Sequence, residues 1–180
     1  MRKSKLHQSG FTFIELLVTL VIAGTLVAIG LPSFGSLMER TKLTNTTNDY
    51  IYSLHKARSE AVKRVMGAGL CPSTNSMAVN AACDDGSPYS SGWLVYADED
   101  NSGVFNAGEE ILHRIESRAN GFTFTSPDVF VNQVYFDGLG NSVNVADVPV
   151  SGTINITYAG GSLGRNVIVS ANGRVISEEQ

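Results

Sequence analysis

The stretch "DEDNSGVFNAGE" sets Asp98, Asp100, Ser102, Gly103 and Glu109 at the D-x-[DN]-x-[DN]-G-x5-E spacing of a calcium loop, with Ser102 where Asp or Asn is usual. Oxygens so spaced can surround one hard cation. Its flanks, "GWLVYA" and "EILHRI", read as strands, whereas an EF-hand loop lies between helices. A solvated hairpin turn is therefore the preferred reading, with calcium second. Two thiols, Cys71 and Cys83, have no nearby histidine and offer half of a tetrahedral zinc site. His7, His55 and His113 stand apart from any Ser or Cys nucleophile motif, and the glycines near 160 lack the lysine of a phosphate loop. These patterns point away from an enzyme, and no cofactor is expected beyond that one calcium candidate.

The remaining chemistry sits near the start of the chain. From Phe11 to Leu31 the sequence reads "FTFIELLVTLVIAGTLVAIGL", with Glu15 its only charge. As a helix the run would be about 31 Å long, enough for a bilayer core. An acid at the centre of such a span costs about 2.5–3.5 kcal/mol, less near an end, so an intramembrane carboxylate asks for a function. The run follows "MRKSKLHQSG", which carries Arg2, Lys3 and Lys5 and no acid. Basic residues stay cytoplasmic, so the chain beyond Leu31 is expected on the exported side. A cleaved secretory signal would be shorter. A simple signal anchor fits the length and leaves Glu15 unexplained. Beyond the leader the chain has 10 basic and 17 acidic residues, which argues against a generally nucleic-acid-binding surface.

Gly10, Phe11, Glu15 four residues later and Pro32 at the end of the apolar run resemble a type IV prepilin or pseudopilin. The resemblance implies that a prepilin peptidase cuts between Gly10 and Phe11 and that Phe11 is then N-methylated. It also implies that Glu15 neutralises the new amine of a neighbouring subunit, or its own before assembly, setting axial register. Opposite charges attract strongly in that low-dielectric setting, and a paired carboxylate is penalised far less than an isolated one. The expected partners are other minor and major pilins, the peptidase and an inner-membrane assembly platform.

After Pro32, which could kink or locally open the helix, the pattern becomes one-sided. Leu43, Thr47, Tyr50, Leu54, Ala57, Ala61 and Val65 recur every three or four residues, a stripe expected to pack on a sheet, and Gly67 and Gly69 are expected to end the helix. Strands are predicted at Gly92–Ala97, Glu110–Ile115, Gly121–Thr125, Val131–Phe136, Gly152–Tyr158, Asn166–Ser170 and near Arg174–Ile176, separated by "DGLGN", "YAGGSLGRN" and "SANGR". The organisation is thus a leader over 1–10, a helix over 11–66 with 11–31 transmembrane, and a β-rich domain over 67–180: an α+β, pilin-like fold with a long N-terminal helix on an antiparallel sheet. "KARSEAVKR", a cysteine, "GWLVYADEDNSG" and "EEILHR" resemble the GspH/FimT (FimU-like) branch of minor pseudopilins.

The exported topology makes a Cys71–Cys83 disulfide the default, worth about 3 kcal/mol in the chain-entropy model. The resemblance implies a minor pilin of a type IV pilus, helping to initiate or cap assembly, or a type II secretion pseudopilin. Some FimT-like proteins bind DNA through a C-terminal Gly-Arg-x-Arg. Here Gly173 and Arg174 match, Ile176 replaces the second arginine, and Arg165 could help if its turn lies close, with Glu178 and Glu179 opposing.

Overall fold

The computed structural model describes residues 10–118, 121–126, 128–158, 160 and 163–180, without the side chains of 29–34 and 128. The leader residues 1–9 lie outside the described residues. Among the described residues one α-helix, α1 (Phe13–Arg64), is followed by nine strands: β1 (Gly67–Pro72), β2 (Trp93–Asp98), β3 (Ile111–Ile115), β4 (Phe122–Thr125), β5 (Val134–Phe136), β6 (Ser142–Val143), β7 (Gly152–Tyr158), β8 (Leu163–Val169) and β9 (Val175–Glu179). The chain divides into two compact units, up to Met38 and from Glu39 to Gln180.

In the first unit α1 is helical through Pro32, so the local opening expected there does not occur. Proline removes one N–H and leaves the rest of the ladder to carry the helix. Thr19 and Thr25 donate their hydroxyls to the carbonyls of Leu16 and Ile22, each at 2.8 Å, so these polar groups are satisfied inside the helix. Among the described residues no helix is long and apolar enough to cross a membrane. The side chains at 29–31, which complete the apolar run, lie outside the description.

The second unit is built around the amphipathic half of α1. Leu43, Thr47, Tyr50, Leu54, Ala57 and Ala61 are buried, as the periodicity predicts. They pack between a five-stranded sheet, in the order β3-β2-β1-β5-β6, and a four-stranded sheet, β4-β7-β8-β9, whose ladders are all antiparallel. Tyr50 is the aromatic hub. Its ring meets Tyr89, Trp93 and Phe124 edge-on at centroid distances of 5.3, 5.4 and 5.6 Å. Such pairs contribute about 0.5–1.5 kcal/mol each beyond area burial. The Trp93 indole donates to Ser53 Oγ at 2.9 Å, so the largest core side chain enters without an orphaned donor.

Three local expectations are corrected. Gly67 and Gly69 do not end the helix but open β1, a strand absent from the sequence-based prediction. A Cβ on Gly67 would collide with Tyr135 Oη, and one on Gly69 would lie 2.5 Å from Tyr96 Oη. Each glycine makes room for a ring crossing the strand, a use of strand glycine that composition hides. The helix ends at Arg64, the end of the stretch "ARSEAVKR", and Val65, the last position of the predicted stripe, follows it 78% exposed. Met66 N–H donates to Ala61 O and Val65 N–H to Val62 O, a Schellman closure with Val65 at the left-handed position, φ 54°. The segment predicted as a strand over 131–136 is extended only at Val134–Phe136, following a 3-10 turn at Asp128–Phe130.

Candidate functional site

Gly10 and Phe11 precede α1 in non-helical backbone, and both are exposed. Thr12 caps the helix: its Oγ1 accepts the Glu15 N–H at 3.3 Å, and its carbonyl accepts the Leu16 N–H at 3.2 Å. Thr12-Phe13-Ile14-Glu15 therefore has the T-x-x-E form of a capping box, with Glu15 at the third helical position. Reading Glu15 only as a charge misplaced in an apolar run misses this spacing. The positive end of the helix dipole already favours a carboxylate at that position by about 0.3–1 kcal/mol.

The acidic stretch forms the β2–β3 connection, between two strands as expected. Asp98, Asp100 and Glu109 bring carboxylate oxygens within 4.8 Å of one another. Each is engaged by the loop itself. Asp98 is buried and accepts Tyr135 Oη–H at 2.6 Å, Gly103 N–H at 2.7 Å and Ser102 N–H at 3.0 Å. Asp100 accepts Ser102 N–H at 3.0 Å and Asn106 Nδ2–H at 3.2 Å, and Glu109 accepts Asn106 N–H at 2.7 Å and Glu99 N–H at 3.1 Å. Hydrogen bonds from Ser102 hold the Asp100 carboxyl below its ordinary range, whereas burial pushes Glu109 up. Ser102 Oγ donates to Val104 O at 3.0 Å. Asn101, at φ 54°, receives the Gly67 N–H, and Gln133 reaches Gly103 O. The carboxylates thus fold the turn, Asp98 fastens it to Tyr135 of β5, and Asn101 fastens it to Gly67 of β1.

Cys71 and Cys83 form the expected disulfide, with a Cα–Cα distance of 5.6 Å. Their sulfurs join Leu94, Tyr96 and Ala81 in a small second core. Arg165 and Arg174 are not brought together. Arg165 lies in β8, not in the preceding turn, directly across from Glu179 of β9, and its Nη2 meets Glu179 Oε1 at 2.8 Å. Arg174 stands at the other end of the same hairpin, exposed beside Asn172. His55 is exposed on α1, and His113 sits edge-on to Tyr52 with ring centroids 5.3 Å apart. Burial lowers the His113 pKa.

A long helix that opens on a cleavage-type motif, and whose second half is the spine of an antiparallel domain, defines a pilin-like subunit of the minor pilin and pseudopilin kind. Residues 46–173 match the family profile of type II transport protein GspH, and residues 5–31 match the prokaryotic N-terminal methylation motif. The chain belongs to the GspH family. Two crystal forms of the type IV minor pilin FimU from Pseudomonas aeruginosa PAO1 share the fold, with TM-scores of 0.52 and 0.53 at 21% and 19% identity. The matches cover 79% and 75% of this chain and 92% and 91% of FimU. Among curated proteins there is no significant sequence match.

Proposed function

We propose that this protein is a low-abundance subunit of a type IV pilus, cut between Gly10 and Phe11, methylated on Phe11, and inserted to help initiate or cap assembly. The observation that carries the reading is the methylation motif over residues 5–31, running directly into a helix whose third position is Glu15. Before assembly the apolar run over 11–31 anchors the chain in the inner membrane, with the β-rich domain outside the cytoplasm. Major and other minor pilins are the partners, met through α1, and the peptidase and assembly platform act on the chain transiently. No cofactor is required in this scheme.

The GspH family description favours one second reading, a pseudopilin of a type II secretion system with the same N-terminal chemistry. DNA capture is less well supported, because Arg165 is spent on Glu179 and only Arg174 is left at the hairpin turn. Deleting the gene and scoring surface piliation, twitching, DNA uptake and protein secretion side by side separates the three. Loss of piliation with secretion intact supports the pilus. Loss of secretion alone overturns it in favour of the pseudopilin, and loss of DNA uptake alone favours DNA capture.

A further inference from the structure

We infer that the end of the domain where α1 stops is a docking surface for another subunit of the same filament, one that presents an apolar patch edged by carboxylates. The inference rests on the filament reading above and adds the face and the chemistry of the contact. Three aliphatic side chains stand out there: Val62 is 48% exposed, Val65 78% and Leu139 81%. They adjoin one another. The Cβ direction of Gly138 points at the Val65 backbone, 2.9 Å from its carbonyl carbon, and that of Gly140 points at Val62 Cγ2, 2.8 Å away. The "DGLGN" turn between them therefore lies on the helix terminus and displays Leu139 outward.

That display is built with care for a side chain that contacts so little. Asp137 Oδ1 accepts the N–H groups of Leu139 at 2.9 Å and Asn141 at 2.8 Å, Gly140 N–H closes back on Asp137 O at 2.9 Å, and Arg58 donates to Gly140 O at 2.9 Å. Val65 is odder still. Among the described residues the other non-glycine positions at positive φ are Asn101 and Asp147, types that tolerate it, whereas a β-branched residue there is a true outlier. The helix closure through the Val65 and Met66 N–H groups holds that backbone, while the side chain is 78% exposed and gains little from packing. Backbone outliers of this kind cluster at functional sites.

The charges beside the patch indicate the partner. Beyond Met38 the chain holds 10 cations against 16 carboxylates, and Lys56, Lys63, Arg64, Arg118 and Arg165 each meet a carboxylate. Arg40, Lys42, Arg58, Arg114 and Arg174 do not, among the described residues, and of these Arg58 and Arg174 lie beside the patch. Arg58 donates to the carbonyls of Gly140 and Asn172, and Arg174, two residues further, is exposed. An apolar centre with two unmatched guanidinium groups on one side fits a protein surface edged with Asp or Glu. It offers too few cations for a phosphate backbone, which needs several.

The test uses the full chain in its own bacterium, with Leu139→p-benzoylphenylalanine as a photocrosslinker. The expected result is a light-dependent adduct with a second pilin-type subunit, identified by mass spectrometry in sheared filaments and reduced at least tenfold by Arg174→Glu at unchanged melting temperature. Failure of Arg174→Glu to enter filaments, with the fold intact, supports the surface equally. A chain present in filaments without a protein adduct, an adduct indifferent to Arg174→Glu, or an adduct with nucleic acid overturns the surface and leaves the filament role standing. Absence of the unmodified chain from filaments overturns both.

Discussion

Replacing Val65 by glycine should stabilise the protein, although the substitution removes a side chain and adds none. Val65 occupies the left-handed position of the Schellman closure at φ 54°, where glycine is the usual residue. An L-residue in that conformation costs about 1–2 kcal/mol, toward the upper end for a β-branched side chain, and glycine has no such cost. Two effects oppose the gain. Glycine frees the unfolded chain by about 0.4–1 kcal/mol. With Val65 already 78% exposed, only a small part of a valine's burial energy of about 1.5–3 kcal/mol is lost. The balance is about 1 kcal/mol in favour of glycine, or about 2–4 °C in melting temperature for a chain of this size. Thermal unfolding of the full chain in detergent, followed by circular dichroism, measures it. Val65→Ala is the control, because it removes the β-branch and keeps the left-handed backbone strain, and it should recover less. If Val65→Gly melts at or below the wild-type temperature, the strain assigned to this position is wrong. If it melts higher while filament contacts at Leu139 weaken, stability and docking compete at one residue.

Other outcomes follow from the same contacts. Gly69→Ala should destabilise by about 1–3 kcal/mol, because the new Cβ meets the Tyr96 ring at 2.6 Å and displaces the Tyr96–Gln133 hydrogen bond of 2.8 Å; urea unfolding reads it. Stability should fall as pH drops below about 4.3, since Arg64 and Thr74 hold the Glu60 and Asp84 carboxyls below their ordinary range. Their contribution is present above the unfolded-state pKa and lost on acidification through the lower folded values, so Glu60→Gln should flatten the acid limb of a melting-temperature profile. Glu109 has the opposite sign: burial raises its pKa, so its contribution is lost as pH rises through that higher value, and Glu109→Gln should soften any decline there. Saturating calcium should leave the melting temperature unchanged. A ligand at a hundredfold excess over its Kd would add about 2.7 kcal/mol, so a shift of several degrees would refute the reading of this loop as a self-closed turn.

What was legible in the sequence was whatever periodicity writes. The stripe from Leu43 to Ala61, the antiparallel β-rich domain and the strands at β2, β3, β4 and β7 could be read because side-chain alternation reports directly on burial. What escaped depends on partners distant in sequence. Gly67 and Gly69 look like a helix stop until Tyr135 and Tyr96 are seen lying across them. Arg165 looks like a turn residue until β8 is extended back to Leu163 and Glu179 faces it. Val65 looks like one more apolar stripe position, because nothing local reveals that the helix will close there with a valine in a glycine conformation. The acidic loop was half legible: its spacing showed that the carboxylates would converge, but not that backbone N–H groups would occupy them. The helix start is legible in the spacing of Thr12 and Glu15, which carries the T-x-x-E capping signature.

The capping spacing changes how Glu15 must be tested. Removing it as Glu15→Ala abolishes the charge and the N3 side chain of the capping box together, so an assembly defect would not say which mattered. Glu15→Gln separates them, because glutamine serves at N3 of a capping box and carries no charge. If Glu15 acts only within its own helix, the glutamine variant should enter filaments at close to the wild-type rate. If it neutralises a free amine, the variant should fail as badly as alanine, because the proposed cut after Gly10 would leave a positive Phe11 amine beside the positive end of a helix dipole. That like-charge arrangement exists only after processing, so a Gly10 substitution that blocks the cut should remove the difference between Glu15→Gln and the unsubstituted chain altogether. Counting incorporated subunits per filament in cleaved and uncleaved backgrounds decides it, and equal incorporation of Glu15→Gln and wild type after cleavage would refute the ion-pair account.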